Sequence, residues 1–150
     1  MAQWPQLDPA QQNELLGEIT RSVIDALQPG WREVKIDYRQ IGKNIDVAVG
    51  LTDSAGTVQV WDPGAETWRM FQRLHGGMYR EGEGTWFSAR LVIDPSPRFF
   101  VKYNWQNEPD IRPYPAPEAF ALEQERFPRT EAHMPAWFRR GLTAAGSHRG

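Results

Sequence analysis

Two carboxylates, Glu81 and Glu83, stand one residue apart in Arg80-Glu81-Gly82-Glu83-Gly84. A close acid pair can serve as general acid and base. Here glycines alternate with the glutamates, so nothing would hold them in catalytic register, and a solvated loop is the better reading. The histidines are His75, His133 and His148, and none has a second histidine at the spacing of a zinc-binding helix. His75 is expected at a helix end before two glycines, His133 in a proline-flanked loop and His148 in the C-terminal tail, each a helix-end or solvent histidine rather than a functional one. Ser22, Ser54, Ser88 and Ser96 lack the Gly-x-Ser-x-Gly setting of an activated hydroxyl. Gly76-Gly77 and Gly82-Glu83-Gly84 do not lead from a strand into a helix, as a phosphate-cradling loop must. The absence of cysteine excludes disulfides, thiolate metal ligands and thiol catalysis. No catalytic residue, metal ligand or cofactor is assigned, and the chain is not expected to be an enzyme.

Recognition chemistry is better represented. Seven Trp, seven Phe and four Tyr make the chain 12% aromatic, and large aromatics anchor both cores and interfaces. Glu108, Asp110, Glu118, Glu123 and Glu125 lie in and after a proline-rich segment, beside Trp105, Tyr114 and Phe120. Such charges are commonly just solvated. The sharper reading is an acidic, aromatic face that enters a basic cleft on a partner, with charge steering the approach and proline stiffening the backbone beforehand. Arg69, Arg73 and Arg80 on one side, and Arg139 and Arg140 on the other, could form a nucleic-acid stripe. The net charge of −2 and pI of about 5.9 favour a solvated helix face instead, because phosphate binding needs a concentrated basic excess. Arg98-Phe99-Phe100-Val101-Lys102 interleaves aromatics with bases as single-strand binders do, but it alternates like a strand, and core packing carries most of the weight.

These groups must be positioned by a fold that the periodicities outline. Asp8 and Pro9 are an N-cap and a first-turn proline. They open a helix whose apolar positions Leu15, Leu16, Ile19, Val23, Ala26 and Leu27 share a face before Pro29-Gly30. The period then changes to two. Val34, Ile36 and Tyr38 alternate with charged residues, Gly42-Lys43-Asn44 turns the chain, and Ile45, Val47, Val49 and Leu51 alternate again. Asp53-Ser54-Ala55-Gly56 is a second turn, leading to a third strand over Thr57–Trp61. Ala65–Met78 reads as a helix with Trp68, Phe71, Leu74 and Met78 on one stripe. Thr85–Ile93 and Arg98–Trp105 are strands joined by the proline-rich turn Asp94-Pro95-Ser96-Pro97. Residues 106–116 are expected to be an extended ordered loop, Pro117–Arg126 a short helix and Pro135–Leu142 another. One domain over 1–143 is expected, with 144–150 a disordered tail. No basic stretch followed by an apolar run opens the chain, and no segment approaches the ~20 apolar residues of a membrane span. The expected compartment is therefore the cytoplasm.

Several pieces of this pattern together resemble the YezG-like family of bacterial immunity proteins. They are the helix ending in Pro29-Gly30-Trp31, the alternating strands after it, the helix around Arg73-Leu74 and the entry Gly84-Thr85-Trp86-Phe87. To these are added Tyr103-Asn104-Trp105, Glu108-Pro109, Glu125-Arg126-Phe127-Pro128-Arg129 and Pro135-Ala136-Trp137. The resemblance covers most of the chain and rests on order and spacing rather than on any single piece. It implies an α+β fold, a cytoplasmic protein without catalysis, and a cognate toxin encoded nearby. Toxins of such systems include nucleases, deaminases and NAD-consuming enzymes. Gln106 and Asp110 differ from the family pattern, which often has an acidic residue and an aromatic at these places, and both fall in the loop assigned to recognition. Pro128, Pro135 and Trp137 are expected to fix the C-terminal segment on the sheet. Asn104 is expected to hydrogen-bond neighbouring backbone. Trp105, Glu108, Asp110 and Tyr114 are the expected partner contacts.

The expectation is thus an α+β domain with a mainly antiparallel sheet of about five strands. An N-terminal and a central helix pack on it, and a C-terminal helical cap completes it. Its expected function is toxin neutralisation by occlusion of the toxin's cleft, with no direct contact to nucleic acid or membrane. An effector-specific secretion chaperone or adaptor is the first rival, and a small enzyme with an aromatic-lined pocket the second.

Overall fold

The computed structural model describes residues 5–149, with side chains as far as residue 146; His148 therefore lies outside the described side chains. Helix α1 (Pro9–Asp25) begins at Asp8, whose carboxylate accepts from the Gln11 amide while the Gln11 side chain accepts from the Asp8 amide. That reciprocal pair satisfies two donors which the first helical turn leaves open. Strands β1 (Glu33–Ile41), β2 (Asn44–Thr52) and β3 (Val58–Val60) form a meander, helix α2 (Ala65–Gly77) crosses over, and β4 (Ser88–Asp94) and β5 (Arg98–Asn104) follow as a hairpin. The sheet is antiparallel throughout, in the order β3-β2-β1-β4-β5. Helices α3 (Pro117–Arg126) and α4 (Ala136–Arg149) form a pair after it. The α+β class with N-terminal, central and C-terminal helices stands as read from the sequence. Among the described residues no helix is long and apolar enough to cross a membrane.

The alternating pattern decides which face of the sheet is covered. Val34, Ile36 and Tyr38 of β1 and Ala89, Leu91 and Ile93 of β4 are buried against Leu15, Leu16, Ile19 and Val23 of α1 and Phe71 and Leu74 of α2. Tyr38 stacks on Phe71 with ring centroids 5.0 Å apart, and Trp86 meets Tyr38 edge-on at 5.8 Å. A second, smaller core joins the ends of the central strands to the C-terminal helices. It contains Ile41, Phe87, Ile111, Ala119, Phe120 and Phe138.

Boundaries shift where tertiary pairing outweighs local pattern. β3 is three residues long, shorter than Thr57–Trp61, and β4 enters the ladder at Ser88 rather than Thr85. Phe87 nevertheless bonds to both neighbours, its carbonyl accepting from Gln40 and its amide donating to Asn104. The segment from Ala144, expected as a disordered tail, continues α4 to Arg149; Ala145 is buried, and that contact favours the helical continuation.

Gly42 shows how closely the layers meet. It occupies the first position of a two-residue hairpin loop with φ of 61°, as a type II′ turn demands. A Cβ there would lie 2.5 Å from the Ala119 carbonyl oxygen of α3. Only glycine provides both the backbone angle and the space.

Candidate partner-binding face

The loop expected to make recognition contacts begins at Asn104. Its side-chain oxygen accepts from the amides of Asn107 (2.8 Å) and Gln106 (3.3 Å), and its amide nitrogen donates to the Asn107 carbonyl (2.8 Å). The expected backbone role of Asn104 is thus what the side chain does. Pro109, Ile111 and Pro115 are buried, which pins the loop from below. The Trp137 indole donates to the Gln106 carbonyl at 2.8 Å, and the Arg112 amide donates to Asp46 of β2 at 3.2 Å. Residues 105–116 are therefore held at both ends as they pass from β5 to β2. An ordered loop has less conformational entropy to lose on binding.

The four expected contact residues do not form one patch. Glu108 and Asp110 turn toward the uncovered face of the sheet. With Asp37, Arg39, Arg90 and Lys102 they line a groove of about 340 Å³. Tyr114 is exposed, its hydroxyl 3.1 Å from a Glu108 carboxylate oxygen. Burial and Glu108 both push its phenol pKa up, burial more. Trp105 lies elsewhere. It continues the inward-facing row of β5, packs against the main core and is covered by the Arg80 guanidinium, 4.6 Å from its ring centroid. The alternation of β5 directs this, since Phe99, Val101 and Tyr103 face the core and Trp105 follows them at the same parity.

Asp110 is ion-paired with Arg112 at 3.0 Å, and the carboxylate holds the guanidinium pKa up. Asp37 binds Arg90 at 2.7 Å with the same effect on Arg90, and Arg39 lies 3.6 Å from Asp46. The ammonium groups of Lys35 and Lys102 make no hydrogen bond or ion pair among the described residues.

The acidic, aromatic face is corrected at Glu123. Its carboxylate is not solvated but sealed beneath α3, accepting from the Gly42 amide at 2.8 Å. His75 sits at the end of α2, as expected, and is enclosed there, with Nε2 3.4 Å from Glu123. The imidazole is walled by Trp86 and Phe127, each edge-on at 5.0 Å. Buried Arg129 lies close by, its guanidinium 4.2 Å from the Phe87 ring centroid and donating to the carbonyls of Thr85 (2.6 Å) and His133 (2.9 Å). Burial pulls its pKa down to about 10, against smaller opposing pulls from Glu123 and Glu83. An imidazole beside a carboxylate could move a proton, but the aromatic walls leave no path for a substrate. The group ties α2, α3 and the β1–β2 hairpin together. Among the described residues no group of three or more histidines and carboxylates is placed to hold a metal ion.

Sequence reasoning missed the uncovered sheet face itself. Phe100, assigned mostly to core packing, is 60% exposed there, and Val60 is 96% exposed. The available signal was parity. Val92 and Phe100 are apolar at positions where strict alternation calls for polar residues. Compared with known proteins, the chain matches no family model and no curated protein.

Proposed function

We propose that this chain is an immunity protein that neutralises a bacterial toxin by tight association, in the manner of the YezG-like proteins it resembles. The observation that carries the reading is the clamped loop over residues 105–116, with Glu108, Asp110 and Tyr114 displayed beside an open sheet face. A loop already held by Asn104, Trp137 and Asp46 can meet a partner with little reordering. Its carboxylates can steer a basic partner into register, and the neighbouring apolar surface can supply affinity. Occlusion of the toxin's cleft follows as the mechanism, with the loop entering the cleft mouth and excluding substrate.

Co-expression with the toxin encoded beside this chain tests the proposal. Protected cells, together with loss of toxin activity when the purified proteins are mixed, are expected. Binding that leaves purified toxin fully active would replace inhibition with the adaptor role. No association of the two purified proteins would remove both readings.

A further inference from the structure

The two edges of the sheet, β3 and β5, are not alike. β3 is three residues long and gives way to Asp62-Pro63-Gly64, and so short a strand offers little to pair with. β5 offers seven residues, Arg98–Asn104, with no proline or glycine among them. Its ends fix the directions of its backbone. The Arg98 amide donates to Asp94 Oδ1 at 3.1 Å, and the Asn104 carbonyl accepts from the Phe87 amide at 2.7 Å, both on the β4 side. Directions alternate along a strand, so Phe99, Val101 and Tyr103 turn their N–H and C=O groups away from β4. Among the described residues these outward groups have no hydrogen-bond partner.

The side chains at this edge are incompletely covered as well. Ala89, Leu91 and Ile93 of β4 are 2%, 0% and 0% exposed, whereas Phe99, Val101 and Tyr103, the next members of the same inner side, are only partly buried. On the outer side Phe100 is 60% exposed.

Pairing rules allow this edge one full register with itself. Opposed residues of an antiparallel pair face the same side, and only residues turned toward each other exchange bonds. A twofold axis must therefore pass beside Phe99, Val101 or Tyr103, and only the axis at Val101 uses the whole strand, 98–104. Val101 then faces Val101 of the second copy and Phe99 faces its Tyr103. These pairs exchange backbone bonds and extend the inner apolar side. On the outer side Phe100 faces Lys102 of the second copy in the closer kind of pair, ring beside ammonium. Arg98 faces Asn104, and its charge is already met by Asp94 at 3.3 Å. No two like charges stand directly opposite each other.

We infer that β5 is the contact of a homodimer, in which two copies join edge to edge about a twofold axis at Val101 and form one continuous sheet. An isologous pairing of this kind closes on itself and removes the long edge from further association. The loop over residues 105–116 runs from β5 toward β2, away from the joined edge, so each copy keeps its loop open. The dimer goes beyond the immunity reading and does not depend on it.

Sedimentation of the purified chain across the micromolar range provides the test. The wild type is expected at twice the 17.2 kDa of the chain, with amide exchange at Phe99, Val101 and Tyr103 slowing as concentration rises. Phe100→Lys sets an ammonium opposite Lys102 of the second copy and is expected to raise the dimer Kd by about tenfold or more. Adding Lys102→Glu to it turns both repulsions into attractions, and the double variant is expected to dimerise again. Val101→Pro removes an outward donor without touching the bonds to β4 and is expected to be monomeric. Circular dichroism melting verifies that each variant folds, and the Phe100→Lys pair decides the matter if Val101→Pro does not fold. A wild type that stays monomeric overturns the inference. So does a dimer that Phe100→Lys leaves intact, or one whose loss Lys102→Glu does not reverse.

Discussion

His75 Nε2 lies 3.4 Å from Glu123 Oε2, and the two side chains are only 1% and 2% exposed. The pair joins the end of α2 to α3, two elements distant in sequence. Its other anchor is the β1–β2 hairpin, because Glu123 Oε1 also accepts the Gly42 amide at 2.8 Å. One carboxylate therefore serves three segments that are distant in sequence.

Glu123→Ala leaves the enclosed Gly42 amide without its acceptor, and a loss of ~1–3 kcal/mol is expected. Glu123→Gln keeps an acceptor for Gly42, so a smaller loss is expected. Urea unfolding of the two variants beside wild type measures the difference. Equal, small losses would mean that the pair contributes little to the fold.

Gly42→Ala is expected to be destabilising by ~2–4 kcal/mol, combining a positive φ with overpacking against α3. The loss should appear as a lower denaturation midpoint with unchanged slope. Gly17→Ala provides the contrast. Its Cβ would meet nothing within 4 Å, and in a helix interior alanine gains up to ~1 kcal/mol over glycine.

Stability should fall on the alkaline side. Burial raises the phenol pKa of Tyr103 from 10.0 to about 12 and that of Tyr38 further still, Glu123 adding to the Tyr38 shift. Above pH 10 the unfolded chain releases phenolic protons that the folded chain retains, so rising pH favours unfolding. This contribution is fully present below pH 10 and is lost as pH rises through about 12. Arg129 acts in the opposite sense, since its guanidinium is held down to about 10 by burial. Tyr103→Phe isolates one phenol. Among the described residues its hydroxyl is enclosed without a hydrogen-bond partner. The variant should match or exceed wild type at neutral pH and lose less stability between pH 10 and 12. Chemical denaturation across that range is the measurement.

Trp105 and Glu108 should separate. Trp105→Ala removes a half-buried ring from the main core and from beneath Arg80. A cost of ~2–3 kcal/mol is expected, below that of a fully buried aromatic. Glu108→Lys breaks one exposed hydrogen bond, to Tyr114. It should shift stability by less than ~0.5 kcal/mol, and its effect should fall on the association rate with the proposed toxin partner. Stopped-flow binding and thermal melting of both variants would distinguish a packing residue from a steering charge.

Trp137→Ala should loosen the loop by removing a hydrogen bond that holds it. The indole donates to the Gln106 carbonyl and meets Phe87 edge-on at 4.6 Å. A loss of ~3 kcal/mol is expected, with faster amide exchange over residues 105–112. Unchanged exchange there would mean that the loop is held by its own prolines.

Much of the fold was legible because local chemistry and tertiary demand agree. Asp8 and Pro9 open α1 and Pro117 opens α3 where their backbone preferences place them. The period-two run of β1 buries the side that alternation marks, because one face of the sheet must be dry, while β2 follows it only at Val49, with Val47 and Leu51 partly covered and Ile45 exposed. Asn104 turns the chain with its own side chain, a local act that residue type foretells. The expected contact set was legible only in part. Its members were chosen by type and nearness in sequence, but strand parity sends Trp105 to the covered side while Glu108 and Asp110 border the open one. Sequence alone determined which residues are apolar, where turns fall and that the sheet has one dry face. Only the tertiary structure decided that β4 pairs with β1, so that Lys35 stands opposite Val92 in one row of the sheet. It also decided that Glu123 meets His75 and Gly42. Those meetings join positions far apart along the chain, and no local pattern encodes a distance that the packing of the whole molecule sets.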